Sequence, residues 1–207
     1  MEKKKIIDYF DRLLDRFGND PRSADWNSKE AQYLRFEMIS QVGDISRCSI
    51  LDVGCGLGHF YEFLKEKDLK FEYKGIDISK KMIAQARRRL PDLDFEASDI
   101  LSDEINEYFD IIVTSGMFNA HVGHSYDEWT KYCEAVITKM FRLSKKAISF
   151  NMVTNYVDFK VEHLYYADPK YYFDFAKKLS RFVTLRHDYP IYDFVIYIYK
   201  EFPFNLK

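Results

Sequence analysis

The 207-residue sequence contains little cysteine and no long apolar segment. Its three cysteines are scattered without a C-x-x-C pair, which favours reduced thiols over a disulfide framework or a zinc site. No apolar run approaches the roughly 20 residues needed to span a bilayer, and the charged N-terminus lacks the apolar segment of a signal peptide. We therefore expect a cytoplasmic protein with no membrane segment and no bound metal.

No charge of one sign predominates. Lys and Arg total 31 and Asp and Glu total 33, so the formal net charge is −2. This balance disfavours a protein that binds nucleic acid mainly through phosphates, because such binding needs a surplus of positive charge. The chain has no internal repeat or linker, and its length suits one domain. We expect a single domain over residues 1–207 with a small-molecule partner, and the oligomeric state stays open.

Apolar segments of strand and helix type alternate along most of the chain. Two amphipathic helices, at about 6–17 and 28–43, precede a buried strand at 49–53. The alternation that follows predicts a parallel sheet with helices on both faces. The further predicted strands are 73–78, 93–98, 109–116, 146–154, 182–189 and 193–200, and the helices are 58–67, 79–90, 125–144 and 168–180.

The last two predicted strands are joined by only a few residues, which is too short for a parallel crossover, so they must form an antiparallel hairpin. The fold expected is therefore an α/β, Rossmann-like, doubly wound sheet of seven strands. It is mostly parallel and has an antiparallel C-terminal hairpin strand. Residues 1–48 would form an N-terminal helical cap, and residues 49–200 would form the Rossmann-like core.

Three glycines at alternate positions follow the first strand, in the segment DVGCGLG (52–58). Gly54 and Gly56 fit the first two glycines of the dinucleotide fingerprint G-x-G-x-x-G, but its third position holds His59. A side chain there would obstruct the close packing of helix on strand that the third glycine allows. The loop predicts a nucleotide ligand beyond the C-terminal ends of the strands without a pyrophosphate site.

Two acidic residues lie at the ends of the next two strands. Asp77 lies 23 residues after Gly54, where a carboxylate can accept hydrogen bonds from both hydroxyls of a ribose. Asp99 follows the third strand, where a carboxylate can accept the exocyclic amine of adenine. The flanking Ile78 and Ile100 are suited to enclosing the base between them. These residues predict an adenosine site.

The segments LDVGCGLGHF, GIDIS, SDI and FDIIVTSGMFN, followed by a terminal hairpin, resemble the class I S-adenosylmethionine-dependent methyltransferases. The resemblance covers about residues 49–200 and implies S-adenosyl-L-methionine as the cofactor. It assigns the methionine part to Asp52, Gly54, Gly56 and Gly58, the ribose to Asp77, the adenine to Asp99 and Ile100, and the pocket floor near the sulfonium to Ser115 and Gly116.

The helix before the first strand, EAQYLRFEMI, also resembles that of some small bacterial members of this family. By that resemblance Arg35 would pair with the methionine carboxylate, and Gln32 or Trp26 would close over the ligand. A solvated charge on the helix surface is an equal alternative for Arg35.

Methyl transfer to an oxygen usually needs a base or a metal to remove the proton, whereas an amine acceptor must be held neutral. His121 and His124 lie in the loop after the fourth strand, where the acceptor is expected to approach. A histidine suits the role of base, so these two are the candidate catalytic residues and His163 is a third. The alternative for each is a loop histidine bonded to backbone. The same loop begins SGMFN rather than Asn/Asp-Pro-Pro-aromatic, which disfavours an adenine-N6 enzyme.

The segment at 153–175 is crowded with Tyr and Phe and joins the fifth strand to the next helix, a position that often helps roof the acceptor site. Its aromatic residues suit a sugar-like ring or another amphipathic small molecule. The pattern resembles small methyltransferases encoded with bacterial surface-glycan or secondary-metabolite genes. We therefore predict methyl transfer to a small-molecule hydroxyl or amine, and the alternative is a non-catalytic subunit that binds S-adenosylmethionine for regulation or for a partner.

Overall fold

The computed structural model describes residues 2–26 and 28–203. Within these residues every predicted helix and strand is present, with bounds that shift by a few residues. The helices are α1 Lys3–Phe17, α2 Lys29–Ser40, α3 His59–Lys65, α4 Lys80–Arg89, α5 Tyr126–Leu143 and α6 Pro169–Leu179. The strands are β1 Ser49–Val53, β2 Glu72–Asp77, β3 Asp94–Ala97, β4 Phe109–Thr114, β5 Ser144–Val153, β6 Phe182–Arg186 and β7 Asp193–Tyr199. A short 3-10 turn, Pro21–Ala24, links α1 to α2.

The strands form one seven-stranded sheet in the order β3-β2-β1-β4-β5-β7-β6. Strands β1 to β5 pair in parallel, and β7 lies antiparallel between β5 and β6. The predicted fold class is thereby confirmed, including the antiparallel C-terminal hairpin. The chain reverses its direction of winding between β1 and β4, so the ends of these two strands open a crevice at the switch point.

Neighbouring residues of β1 point to opposite faces of the sheet, and both faces are covered. Ile50 packs in a cluster with Phe36 and Ile39 of α2. Leu51 packs on the other face in a cluster that includes Val136 of α5. Burial on both faces is what a continuous apolar strand in the centre of a parallel sheet requires. Helix α2 therefore packs directly on the sheet, although it lies in the segment predicted to form a cap.

Helix α1 lies across the C-terminal ends of the parallel strands and is held there by polar contacts. Asp11 accepts a hydrogen bond from Ser79, the N-cap of α4. Lys3 pairs with Asp99 after β3. Ile6 is buried in the core cluster that also contains Ile76 and Ile100. The division of the chain into cap and core stays a prediction, but α1 itself covers the crevice.

The segment between β5 and α6, residues 155–167, has no helix or strand and is called the roof segment. It is tied to the loop after β4 by a bridge between Ala120 and Leu164 and by the bond from Tyr165 N to Asn119 O at 2.7 Å. At its end Ala167 N donates to Val153 O at 2.8 Å. These bonds hold the roof segment above the crevice. In the part of the chain that the structure describes, no helix is long and apolar enough to cross a membrane.

Candidate active site

The glycine loop after β1 lies under the crevice, and its glycines have different functions. Gly54 N and Cys55 N donate to Ile76 O at 2.8 and 3.0 Å, which holds the loop against β2. A Cβ atom at Gly56 would meet nothing within 4 Å, so this glycine faces open space. At Gly58, with φ +80°, a Cβ would lie 2.7 Å from the ring of Phe95. Gly58 therefore serves the close packing of α3 on the sheet.

His59 does not obstruct that packing, contrary to the expectation from the dinucleotide fingerprint. It begins α3, and its ring contacts Asn19 through Nε2 at 3.0 Å and Gln32 through Nδ1 at 3.5 Å. Burial lowers the pKa of His59 to about 4. The packing function of the third glycine has moved one position earlier, to Gly58. Gln32 is buried beside His59 and does not line the crevice.

The crevice is a cleft, named here the cofactor cleft, between the glycine loop, the ends of β2 to β4 and helix α1. Nine of the twelve residues predicted to bind the cofactor line it: Trp26, Gly54, Gly56, Asp77, Ile78, Asp99, Ile100, Ser115 and Gly116. The other three, Arg35, Asp52 and Gly58, lie outside the lining. The structure thus brings most of the predicted set together around one cleft, whereas the ligand contacts themselves stay a prediction.

Two carboxylates stand at the ends of β2 and β3, and backbone amides hold both of them in place. Asp77 accepts from Gly56 N at 3.0 Å and from Ser79 N at 2.8 Å, and burial raises the pKa of its carboxyl group. Burial opposes the ionisation of Asp99, but hydrogen bonds from Lys3 and Ser102 outweigh it and lower its pKa. Each carboxylate oxygen can accept more than one hydrogen bond, so both groups keep capacity for a ligand.

Ser115 and Gly116 form the floor of the cleft beyond β4. The buried Oγ of Ser115 has no hydrogen-bond partner among the described residues. Gly116, with φ +78°, donates its N–H to Oδ1 of Asn151 at 2.9 Å. The indole of Trp26 lies directly on Gly116, where a Cβ atom would come within 2.2 Å of it. Any larger residue at 116 would therefore displace Trp26.

Asp52 lies behind the glycine loop rather than in the cleft. Its side chain is 3% exposed and accepts a hydrogen bond from the hydroxyl of Tyr73 at 2.7 Å. Burial raises the pKa of Asp52 to about 7. The sequence placed this carboxylate near the methionine part of the cofactor, and the structure gives it a supporting position below the loop.

Arg35 also lies away from the cofactor cleft. Its Nε and Nη2 donate to the two carboxylate oxygens of Asp193 at 2.8 Å each, and its guanidinium stacks 4.5 Å from the ring of Trp26. Asp193 is 1% exposed and also accepts from Nδ2 of Asn151 at 2.6 Å. Arg35 is therefore ion-paired within the protein. The sequence had offered two other interpretations, a pair with the methionine carboxylate and a solvated charge on the helix surface.

A second cavity of about 820 Å³ lies next to the cofactor cleft. It is bounded by α2, the roof segment and the loop between β6 and β7. Its polar groups include Asp25, Asn119, His163 and the Arg35–Asp193 pair. The apolar and aromatic residues around them include Val157, Phe159, Val161, Tyr166, Tyr189 and Ile191. Phe10, Ala24, Trp26 and Gly116 line both this cavity and the cofactor cleft.

The two candidate catalytic histidines line neither cavity. His121 bonds the roof segment, with Nε2 at 2.8 Å from Glu162 O and its backbone N–H donating to His163 O at 3.1 Å. His124 is 7% exposed and stacks on Trp129 with ring centroids 6.0 Å apart. Their role as bases stays a prediction without support from this geometry. The third histidine, His163, does line the second cavity.

The tyrosines of the roof segment and of α6 likewise differ in whether they line the second cavity. Tyr165 is buried and hydrogen-bonded to Thr130 and Tyr172, at 2.7 and 2.9 Å. Tyr171 is exposed. Tyr166 lines the second cavity, and its hydroxyl accepts from Val161 N at 2.7 Å.

Several residues around the second cavity were missed by the sequence analysis: Asp25, Asn119, Tyr189 and Asp193. A signal existed for Asp193, because it is an acidic residue that opens an otherwise apolar strand, DFVIYIY. Tyr189 lies in the loop between the two hairpin strands, and its buried hydroxyl has no partner among the described residues. No group of three or more His, Cys, Asp or Glu side chains in the described ranges is placed to hold a metal.

Residues 50–147 match the protein family described as a methyltransferase domain. A Mycobacterium tuberculosis protein, Rv1506c, which carries a provisional methyltransferase name, is 36% identical over 155 residues, or 73% of this chain and 93% of that protein. The trans-aconitate 2-methyltransferase of Methylobacterium nodulans is 35% identical over 88 residues, or 38% of this chain and 33% of that enzyme.

Solved structures share the fold at low sequence identity. Magnesium protoporphyrin IX methyltransferase from Synechocystis PCC 6803 has a TM-score of 0.69 at 14% identity and covers 97% of this chain and 100% of its own. The N-methyltransferase NodS from Bradyrhizobium japonicum has a TM-score of 0.61 at 17% identity and covers 94% of this chain and 98% of its own. Both were crystallised with S-adenosylhomocysteine.

The family match, the similarity to Rv1506c and the shared fold all indicate a methyltransferase. The cleft lined by the glycine loop and the two carboxylates is consistent with this class of protein. The chain belongs to the class I S-adenosylmethionine-dependent methyltransferases, and its cofactor is S-adenosyl-L-methionine. When bound, this cofactor supplies a methyl group activated by the positive sulfonium. The lining of the cofactor cleft fits it, because the cleft offers two held carboxylates, the unpaired hydroxyl of Ser115 and the open space above Gly56.

Proposed function

We propose that the enzyme methylates a hydroxyl or amine of a small molecule that binds in the second cavity. The observation that supports this proposal is the wall shared by the two cavities, which includes Trp26 and Gly116. Methyl transfer requires the acceptor atom and the methyl carbon to approach closely and in line. A cavity that meets the cofactor cleft at this wall provides a place for that approach.

The proposal assigns each carboxylate and the floor of the cleft a role in holding the cofactor. Asp77 accepts the ribose hydroxyls, and Asp99 accepts the adenine amine between Ile78 and Ile100. Ser115 and Gly116 floor the cleft at the reacting end. Asp52 and Gly58 act from behind the cleft by supporting the glycine loop, and Arg35 acts by holding Trp26 from the side of the second cavity.

The lining of the second cavity favours an amphipathic acceptor with a ring. Aromatic side chains such as Phe159 and Tyr166 give broad apolar contact, and a few polar groups give orientation. A sugar or a secondary metabolite of similar size has this combination of surfaces. We further propose that the enzyme acts in the cytoplasm as a single domain whose first helix covers the cofactor.

The first experiment measures ligand binding by thermal unfolding of the whole chain. S-adenosylhomocysteine should raise the melting temperature, because a ligand that binds only the folded state stabilises it by RT ln(1 + [L]/Kd), whereas NAD should not. A panel of acceptors is then incubated with S-adenosylmethionine, and released S-adenosylhomocysteine is measured. The panel contains phenols and methyl glycosides as hydroxyl acceptors, anilines and aminosugars as amine acceptors, and trans-aconitate as a carboxylate.

A pair of substitutions in the roof segment tests the position of the acceptor. Val157→Trp should obstruct part of the second cavity and raise KM for the acceptor by roughly tenfold, while the affinity for S-adenosylhomocysteine stays unchanged. Tyr156→Trp is the matched control, because Tyr156 is 67% exposed and does not line the cavity. Equal kinetics of the two variants would contradict the proposed acceptor site. Binding of the cofactor without transfer to any acceptor would favour the non-catalytic alternative.

A further inference from the structure

A histidine and an aspartate from distant parts of the chain meet at the second cavity. Nε2 of His163, in the roof segment, lies 3.2 Å from Oδ2 of Asp25, which follows the 3-10 turn. The hydroxyl of Tyr9 on α1 donates to the same oxygen of Asp25 at 2.9 Å. Both His163 and Asp25 line the cavity, and they are 42% and 28% exposed. The pair is therefore accessible to a bound acceptor.

The hydrogen bond to Asp25 determines which nitrogen of His163 is free. A carboxylate only accepts hydrogen bonds, so Nε2 must carry the proton that it donates to Asp25. In the neutral ring Nδ1 is then an unprotonated acceptor. Among the described residues nothing hydrogen-bonds to Nδ1. The ring thus has a basic nitrogen available and a carboxylate on its opposite side.

The backbone holds both members of the pair in place. His163 O accepts the N–H of His121, and the adjacent Leu164 forms a bridge with Ala120. Asp25 adopts the left-handed conformation with φ 62°, and its N–H caps the 3-10 turn by bonding Arg22 O at 3.2 Å. These contacts come from three separate parts of the fold. Because these contacts already restrict the motion of the pair, little conformational entropy is lost when the pair engages an acceptor.

We infer that His163 is the general base for a hydroxyl acceptor and that Asp25 is its positioning residue, an inference that rests on the proposed function. In this step the acceptor oxygen bonds to the methyl carbon as the carbon–sulfur bond breaks, and the bonding electron pair remains on sulfur. The hydroxyl proton passes to Nδ1 of His163, and the imidazolium formed is stabilised by the carboxylate of Asp25. The assignment selects a hydroxyl as the acceptor group, since a neutral amine can attack before it loses a proton.

The arrangement of the pair is tested without any acceptor. The ¹⁵N-labelled whole chain is bound to S-adenosylhomocysteine, and the histidine ring nitrogens are observed by NMR at pH 8. The His163 ring, identified by its loss in His163→Asn, should carry its proton on Nε2, with Nδ1 unprotonated. The Nε2 proton resonance should shift upfield or disappear in Asp25→Ala. A proton on Nδ1, or a ring unaffected by Asp25→Ala, would overturn the inference.

The catalytic role is tested with the hydroxyl compound of the panel that the wild-type enzyme methylates fastest. His163→Asn should lower kcat by about 10²- to 10⁴-fold, as expected for the loss of a general base, while the Kd for S-adenosylhomocysteine changes less than twofold. Asp25→Ala should lower kcat by a smaller factor without changing the KM of the acceptor. His187→Asn is the control, because His187 is exposed and lines neither cavity.

The outcomes separate this inference from the proposed function. Transfer by the wild type to amines alone, or an unchanged kcat in His163→Asn with a hydroxyl acceptor, would overturn the role of His163 and leave the proposed function intact. Binding of S-adenosylhomocysteine without transfer to any acceptor would overturn the proposed function and this inference with it. Added imidazole should restore part of the rate in His163→Ala, which a purely structural role would not allow.

Discussion

The buried ion pair between Arg35 and Asp193 allows a quantitative test of the structure. In Arg35→Ala the carboxylate of Asp193 loses two charged hydrogen bonds of 2.8 Å. It retains only the amide of Asn151, and its side chain is 1% exposed while Arg35 is present. Asp193 lines the second cavity, so water from that side can replace only part of the lost hydrogen bonding. The variant thus leaves a poorly compensated negative charge inside the protein.

Removing one partner of a buried ion pair destabilises proteins by about 3–5 kcal/mol. This is a large part of a total stability of about 5–15 kcal/mol. For a domain of this size each kcal/mol corresponds to about 2–4 °C in Tm. We therefore expect Arg35→Ala to lower Tm by about 6–20 °C, as the product of these ranges.

Urea unfolding at pH 7, followed by circular dichroism, measures the change in the free energy of unfolding. Lys67→Ala is the control, because the pair of Lys67 with Glu37 is partly exposed and should contribute at most about 1 kcal/mol. The double variant Arg35→Met/Asp193→Asn should recover much of the loss, since it removes the charge together with its partner. A loss below about 1 kcal/mol in Arg35→Ala, or no recovery in the double variant, would refute the reasoning.

Three further predictions concern the cofactor cleft and its support. Gly116→Ala and Gly123→Ala share the left-handed strain of φ +78° and +74°, but only Gly116→Ala collides with Trp26. Calorimetry should therefore show weaker binding of S-adenosylhomocysteine, by about 1–3 kcal/mol, in Gly116→Ala alone. Asp77→Ala should weaken the same binding by about 1–3 kcal/mol, because it removes the proposed acceptor of the ribose hydroxyls. Asp52→Asn should alter how the stability of the free protein depends on pH. The raised pKa of about 7, against 3.8 in the unfolded chain, means that the folded state binds an extra proton between these values. Stability contributed by this group is therefore lost as pH rises from 4 to 7, up to about 4 kcal/mol, and Asp52→Asn removes that loss.

Each of these predictions has a result that contradicts it. Equal binding by the two glycine variants would mean that the contact between Trp26 and Gly116 does not shape the cleft. An unchanged affinity in Asp77→Ala would remove that carboxylate from the binding site. For Asp52, the difference in unfolding free energy between wild type and variant should change between pH 4 and pH 7, and a constant difference would contradict the assigned pKa. The side-chain oxygen of asparagine can still accept the hydrogen bond from Tyr73, so Asp52→Asn removes the charge with little change in packing.

The sequence alone determined the sheet and the cofactor cleft. The period of apolar residues shows which segments are strands and which are helices, and alternation of the two enforces parallel pairing. Asp77 ends a strand, and Asp99 and the glycine loop come just after the ends of two others. Because the C-terminal ends of parallel strands meet at one edge, residues in such positions come together whatever the packing of the helices. This is why nine of the twelve predicted cofactor residues line one cleft.

Only the tertiary structure decided the residues that surround the second cavity. Arg35 meets Asp193 across 158 positions of sequence, and Asp25 meets His163 across 138. His121 and His124 share the loop after β4 with Ser115 and Gly116, yet their rings turn toward the roof segment and Trp129. Periodicity shows which face of an element is buried but not which distant side chain it meets. Such meetings depend on how helices, loops and the roof segment pack against the sheet, so the polar lining of the second cavity became visible only in three dimensions.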